Sequence, residues 1–382
     1  MLIGTTTFGC DAGRSGIGRY TTRLLDAMAR TAHSDRIEII AHHQDQSTFL
    51  PSSSPASSSF LTPGLLTHPV LDIAWHQTVL PPLAAWRHYD LLLLPAANRR
   101  LPSFAPCPTV GTFHDAGILH IHNKYSPLRR LYLNHILPPM VRRLNHLLTV
   151  SEYSKQDLIH HFGIPADKIT VTPLAADREY YRPRDPEHCR AQIASLYDQS
   201  EPYLIYVSRL EHPAKNHVRL IQAFSQARQK YGLPHQLLLA GGDWSGSDAI
   251  YRAARRSSQS QAIHFLGFVP DSLLPHLYGA AEAMIFPSLF EGFGLPILEA
   301  MSSGLPVATS NAASLPEVAG DAALFFDPHD VDAMAEQIAR LASDPALRLR
   351  LREKGLRRAN HFSWERTAHQ TWQVLRNLDA LQ

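Results

Sequence analysis

Apolar and polar positions come in blocks along this chain. Short apolar or β-branched runs lead through a glycine or polar turn into stretches with helical spacing. In the first half, Leu2-Ile3-Gly4, Ile37–Ala41, Leu91–Leu94, Thr109–Phe113, Leu147–Val150 and Ile169–Thr172 read as strands. In the second, Tyr203–Val207, Leu237–Ala240, Ile263–Leu266, Ala283–Phe286 and Pro306–Thr309 do the same. Helical faces lie between them: Tyr20, Leu24, Leu25 and Met28; then Val218, Ile221, Ala223 and Phe224; finally Trp372, Leu375 and Leu378. Ser154-x-x-Asp157 reads as a helix cap. Strands alternating with helices build parallel sheets covered on both faces. The expected fold class is therefore α/β, with two doubly wound, Rossmann-like domains.

A chain of 382 residues exceeds what one core usually supports, which also predicts two domains. The polar, proline-rich Arg182-Pro183-Arg184-Asp185-Pro186 is the expected linker. The domains are placed at 1–180 and 199–360, with 361–382 as a final helix. Pro51–Ser59 is low complexity and is expected to be a mobile surface loop.

A net charge of +2 argues against general nucleic-acid binding. The basic residues are uneven, however. Arg99, Arg100, Lys124, Arg129, Arg130, Arg142 and Arg143 face one acid, Asp115, in that stretch. They form either a solvated face or a docking patch for anionic lipid or a pyrophosphate-linked acceptor. Cys10, Cys107 and Cys189 are few and scattered, which fits a reducing cytoplasm. Met1–Gly9 lacks the pattern of a signal peptide. No apolar run approaches the roughly 20 residues that span a bilayer. The expectation is a cytoplasmic protein, soluble or peripheral at the membrane's inner face.

The chemistry concentrates in Phe290-Glu291-Gly292-Phe293-Gly294-Leu295-Pro296-Ile297-Leu298-Glu299. Pro296–Ser303 reads as a short helix with Pro at its start and Gly304 in the left-handed position after its end. Glu291 then sits on the loop leaving a strand, and Glu299 about one turn into the helix. Backbone N–H groups of Phe293, Gly294 and Leu295 lie between them and suit an anion. The stretch is either a nucleotide-sugar site or a helix cap with an exposed Glu. Arg209 and Lys215 flank another strand-to-helix turn and either converge on a diphosphate or are solvated surface charges. The glycine turn Gly13-x-x-Gly16-x-Gly18 does not have the dinucleotide order, and His42-His43-Gln44 stands where a dehydrogenase needs an acid. Among the 22 histidines, His114 follows a strand end, where it either points toward a ligand crevice or is a satisfied structural histidine. Asp330-x-Asp332 reads as a helix cap, and nothing else reads as a divalent-metal site.

Glu291-x7-Glu299 around Gly-Phe-Gly-Leu-Pro resembles the donor-site signature of retaining family-4 glycosyltransferases, which have the GT-B fold. The likeness extends to Ser15–Tyr20, His114-Asp115, Val150–Ser154, Arg209 with Lys215-Asn216, Phe265–Pro270 and Phe362-Ser363-Trp364. It implies two domains facing a central cleft, an acceptor-side first domain, a donor-binding second domain, and a last helix crossing back to the first. It also implies a catalytic group of Glu291, Lys215, Arg209 and His114, with Glu291 and His114 at the donor sugar and the two cations at the diphosphate. Donor binding would fall to Gly16, Phe268, Gly292, Phe293, Gly294, Leu295 and Glu299, the last on the ribose. Leu174-Ala175 departs from the Asn-Gly usual after the preceding proline.

No metal or other cofactor is expected, the nucleotide-sugar being a co-substrate. The implied reaction moves a hexose onto a saccharide or lipid-linked saccharide. GDP-mannose is the first candidate donor, by similarity to bacterial mannosyltransferases of polysaccharide assembly, and a UDP-hexose the second. The rival classes are a sugar-nucleotide epimerase and a non-catalytic nucleotide-sugar binder.

Overall fold

The structure, a computed structural model, describes residues 1–382 except 33, 51–56, 65–67, 116, 121–130, 132–134, 198–200 and 381–382. Two compact units emerge: Met1–Leu174 with Ser363–Gln382, and Ala175–Phe362.

The first unit holds a 7-stranded sheet in the order β3-β2-β1-β4-β5-β6-β7. Its strands are β1 (Leu2–Thr6), β2 (Arg36–His42), β3 (Ser57–Thr62), β4 (Leu91–Leu94), β5 (Thr109–Phe113), β6 (His146–Thr149) and β7 (Ile169–Val171). The second holds a 6-stranded sheet in the order β10-β9-β8-β11-β12-β13. These are β8 (Tyr203–Val207), β9 (Gln236–Ala240), β10 (Ile263–Gly267), β11 (Ala283–Phe286), β12 (Val307–Ser310) and β13 (Ala323–Phe326). Every strand pair is parallel. All carboxyl ends of one sheet therefore lie along one edge, where loops can assemble a site.

The helices used below are α1 (Gly16–Arg30), α2 (Gly117–His120), α3 (Glu152–Phe162), α4 (His217–Tyr231), α5 (Leu295–Ser302), α6 (Val331–Ser343) and α7 (Trp364–Asp379). The amphipathic stripe of α1 buries Tyr20, Leu24, Leu25 and Met28 as its spacing predicts. Against it lies α7, with Trp372 and Leu375 buried and the Trp372 indole N–H donating to Met28 O at 3.3 Å. The last helix thus belongs to the first unit. Gly304 has φ +74 after α5, as the helix-end pattern requires. Asp330 caps α6 by accepting the Ala333 N–H at 2.9 Å.

Three expectations need correction. Residues 51–56 of the serine-rich stretch lie outside the described residues, but Ser57–Ser59 begin β3 and pair with Ile37–Ile39 of β2. An edge strand needs only backbone partners on one side, so serines suffice there. The cap of α3 is Ser151, which accepts the Ser154 N–H at 3.1 Å; Ser154 is already inside the helix. The chain passes between units after Leu174, and Arg182–Pro186 lies within the second unit, where Asp185 caps a helix starting at Pro186.

Candidate functional site

In the second unit the strand order reverses between β8 and β11. In open parallel sheets ligands bind at such a reversal, beyond the carboxyl ends. The segment Arg209–Asn216 leaves β8, and Phe290–Leu295 leaves β11. The two loops are tied together by backbone and side chain. Leu289 N–H donates to Ala214 O at 3.0 Å. The buried Asn216 amide donates to Pro287 O at 3.0 Å and Pro328 O at 2.7 Å. Asn216 sits at φ +59, a left-handed conformation that asparagine tolerates better than most residues.

This tie brings Lys215 to Glu291, 76 positions apart in sequence, with Nζ donating to Oε1 at 2.7 Å. Both side chains are 16% exposed. An ammonium has three donors and this bond uses one. The Tyr206 hydroxyl donates to Lys215 O at 2.9 Å. Burial, and then the Glu291 charge, push the Tyr206 phenol well above its ordinary pKa. Next to Lys215, His217 is buried with neither ring nitrogen hydrogen-bonded among the described residues. Burial, reinforced by the Lys215 and His212 charges, pulls its pKa down to about 3, so the ring is neutral.

Gly294 caps α5 at φ +96, and a Cβ there would sit 2.6 Å from Leu315 Cδ2. Only glycine meets both conditions. Phe293 packs its buried ring edge-on against Phe362 at 5.9 Å, so what it offers a ligand is backbone. The Ser314 hydroxyl donates to Glu291 O at 2.9 Å and steadies the Glu291–Gly292 turn. Glu299 is buried, and the Tyr278 hydroxyl donates to its Oε2 at 3.3 Å.

Arg209 stacks over Trp244 at 4.5 Å and reaches Glu211 Oε2 at 3.3 Å. Phe268, past the end of β10, is 70% exposed. Sequence reasoning did not single out Trp244, and it named Asn216 only as part of the Lys215-Asn216 motif, without a role. Their signals were an aromatic soon after Gly241-Gly242 and an asparagine closing a turn. At Gly241, φ is +154 and a Cβ would fall 1.9 Å from Ser208 O, so glycine alone lets the β9 exit approach that of β8.

Gly16 and His114 belong to the first unit. Ser15 caps α1 by accepting the Gly18 N–H at 3.2 Å. A Cβ on Gly18 would meet Cys10 O at 2.3 Å, whereas Gly16 has open space around it. Packing thus demands glycine at 18 and leaves 16 unconstrained. His114 directly follows β5 and is buried, with Tyr20 edge-on at 4.6 Å. Its Nε2–H donates to Pro95 O at 2.8 Å, which leaves Nδ1 as the acceptor in the neutral ring. Burial lowers its pKa to about 4.

Of the basic stretch, Lys124, Arg129 and Arg130 lie outside the described residues. Arg99 pairs with Asp11 at 2.6 Å, Arg100 with Asp72 at 2.6 Å, and Arg142 Nε donates to Phe162 O at 2.6 Å. Among the described residues no helix is long and apolar enough to cross a membrane.

The family model Glycosyltransferase Family 4 matches residues 14–180, and Glycosyl transferases group 1 matches residues 191–358. The O-antigen chain mannosyltransferase B of Escherichia coli is 34% identical over 364 residues, 94% of this chain and 94% of that protein. Sucrose-phosphate synthase from Thermosynechococcus elongatus superposes with a TM-score of 0.79 at 20% identity, covering 100% of both chains. Anabaena Alr3699/HepE, in complex with UDP and glucose, gives a TM-score of 0.74 at 19% identity, over 99% of this chain and 100% of its own. At these identities the two structures speak for the fold alone, which is GT-B.

Proposed function

As this chain belongs to the glycosyltransferases, a family 4 domain followed by a group 1 domain, we propose that it transfers mannose from GDP-mannose, with retention of configuration, to a saccharide or lipid-linked saccharide acceptor in cell-surface polysaccharide assembly. The choice of mannose is supported by the Escherichia coli relative, an O-antigen chain mannosyltransferase. The observation that carries the site is the Lys215–Glu291 pair, tied at the strand-order reversal of the second sheet.

In this reading the diphosphate lies between the β8 and β11 loops. The donors of Lys215 left over from Glu291, the guanidinium of Arg209 and the N–H at the start of α5 meet its charge. That charge grows as the bond from the anomeric carbon to phosphate oxygen breaks, so donors already in place favour the transition state over the ground state. Trp244 stacked on Arg209 supports this role by limiting the guanidinium's freedom. Glu291 grips the sugar hydroxyls near C3 and C4, Glu299 the ribose, and neutral His114 accepts a hydrogen bond from a sugar hydroxyl at Nδ1 without changing charge.

Paired carboxylates in glycosidases serve as acid and nucleophile. Here Glu291 is bonded to a lysine and Glu299 to a tyrosine, which supports binding roles for both. The acceptor oxygen forms its bond to the anomeric carbon on the face the phosphate leaves, and its proton passes to the departing phosphate oxygen. No metal takes part in this scheme. A peripheral contact with anionic lipid belongs to the same proposal. The exposed Val70, Leu71 and Ile73 on the helix Pro69–Thr78 support it more than the basic stretch, whose Arg99, Arg100 and Arg142 are engaged internally.

The test is transfer of radiolabelled sugar from GDP-mannose and from UDP-glucose to saccharide acceptors in excess EDTA. Label moving from GDP-mannose with the anomer retained is the expected result. Transfer from UDP-glucose instead reassigns the donor, and donor turnover without acceptor indicates an epimerase. Binding without any turnover, or strict dependence on added manganese, overturns the mechanism.

A further inference from the structure

Away from the donor motif, three side chains that can bind a metal meet in the first unit. Asp157 and His161 stand four positions apart on α3 and so share a face. His120 closes the short helix α2. His120 Nε2 lies 2.9 Å from Asp157 Oδ2, and His161 Nε2 lies 4.0 Å from Asp157 Oδ1. One ligand atom from each residue falls within 4.8 Å of the other two. Around a tetrahedral ion with bonds of about 2.0–2.1 Å, ligand atoms stand about 3.3–3.4 Å apart. The observed separations bracket that value, and side-chain rotations moving the rings by about an ångström would close the set.

We propose that His120, Asp157 and His161 form a binding site for a divalent transition-metal ion, zinc being the one the ligands fit best. Two imidazoles and one carboxylate are a borderline nitrogen and oxygen set that suits zinc and disfavours magnesium and calcium, which demand oxygen. Asp157 is 8% exposed in its side chain, while His120 and His161 are 27% and 47% exposed. The anchor is thus buried and the opening faces outward, which leaves room for water as a fourth ligand.

The ion would fasten α2 to α3 beside the segment carrying His114. Gly117, where α2 starts, donates its N–H to Asp115 Oδ1 at 3.0 Å, and Ser154 Oγ on α3 donates to His114 O at 3.4 Å. Both helices therefore already touch the turn that follows β5, and an ion joining them would stiffen it. No sequence motif marks the site, because its ligands come from separate elements, His120 and Asp157 standing 37 positions apart.

The experiment uses the full chain, stripped with chelator and dialysed. Zinc binding is read by calorimetry, and cobalt binding by its visible spectrum. The expected result is one ion per chain, the intense bands of tetrahedral cobalt, and a melting temperature that rises with zinc. His161→Ala and Asp157→Asn should each weaken binding by roughly a hundredfold. His160→Ala should not, since that ring is turned to Gln156 O at 2.8 Å. Circular dichroism checks that the variants fold. Absence of saturable binding, or equal binding by wild type, His161→Ala and Asp157→Asn, overturns the proposal.

Discussion

Asn216 offers a test of the site's construction that needs no knowledge of the substrate. Its amide is buried, donates to Pro287 O and Pro328 O, and belongs to a residue at φ +59. Asn216→Ala strands two buried carbonyls, at about 1–3 kcal/mol each, and adds about 1 kcal/mol for a left-handed alanine. Asn216→Gly loses the same bonds without that last term. The expected cost is therefore about 5 kcal/mol for alanine and about 1 kcal/mol less for glycine. Asn216→Asp tolerates the backbone but turns a carboxylate toward two carbonyls, so it should be the least stable of the three. For a unit spanning 175–362, each kcal/mol corresponds to about 2–4 °C in melting temperature.

Thermal and urea melts of the variants measure the order, and donor kinetics follow the displacement of Lys215. Misplacing a group by about an ångström can cost about a hundredfold in rate, so kcat/KM should fall even below the melting transition. If Asn216→Gly matched wild type in stability, the amide bonds would not be what ties the loops. If alanine and glycine were equal, the left-handed backbone would carry no cost.

Glu291→Gln and Lys215→Ala should each lower turnover by on the order of a hundredfold or more while circular dichroism stays native; near wild-type rates in both would refute the site. Acid should weaken the fold through two buried histidines. Their pKa values fall to about 4 for His114 and about 3 for His217, whereas the unfolded chain takes up a proton near 6.5. The unfolded state binds more protons between those values, so stability drops as pH falls from about 6.5, by about 1.4 kcal/mol per pH unit for each histidine. His217→Leu should flatten that acid limb, measured by urea melts between neutral pH and pH 5, and an unchanged slope would contradict the assignment. Arg209 loses its stacking partner in Trp244→Ala, which should raise KM for the donor more than it lowers kcat; an unaltered KM would remove Trp244 from the site.

The sequence was legible wherever burial on both faces wrote a continuous apolar run. Leu91–Leu94 and Tyr203–Val207 are such strands, found where expected. It was opaque at β3, a half-exposed edge strand that opens on three serines, and at β13, whose four residues are too short for a period to show. Capping chemistry misled locally, since two serines three positions apart both suit the start of α3 and only Ser151 has the extended backbone a cap needs. For the site, the turn and helix around Gly294 could be read from residue types. The approach of Lys215 to Glu291 could not be derived from spacing, because it depends on the strand order that places β8 beside β11. His120, Asp157 and His161 lay beyond any local pattern for the same reason.

The return of α7 to the first unit means that the second unit is, in connectivity, an insert with both of its ends rooted in the same neighbour. A single cut can therefore release neither half whole. A fragment stopping near residue 174 would lose the helix that packs against α1, with the Trp372 indole that donates to Met28 O. Removing the helix Trp364–Asp379 would injure the unit built from the first 174 residues, although the two segments lie far apart in sequence.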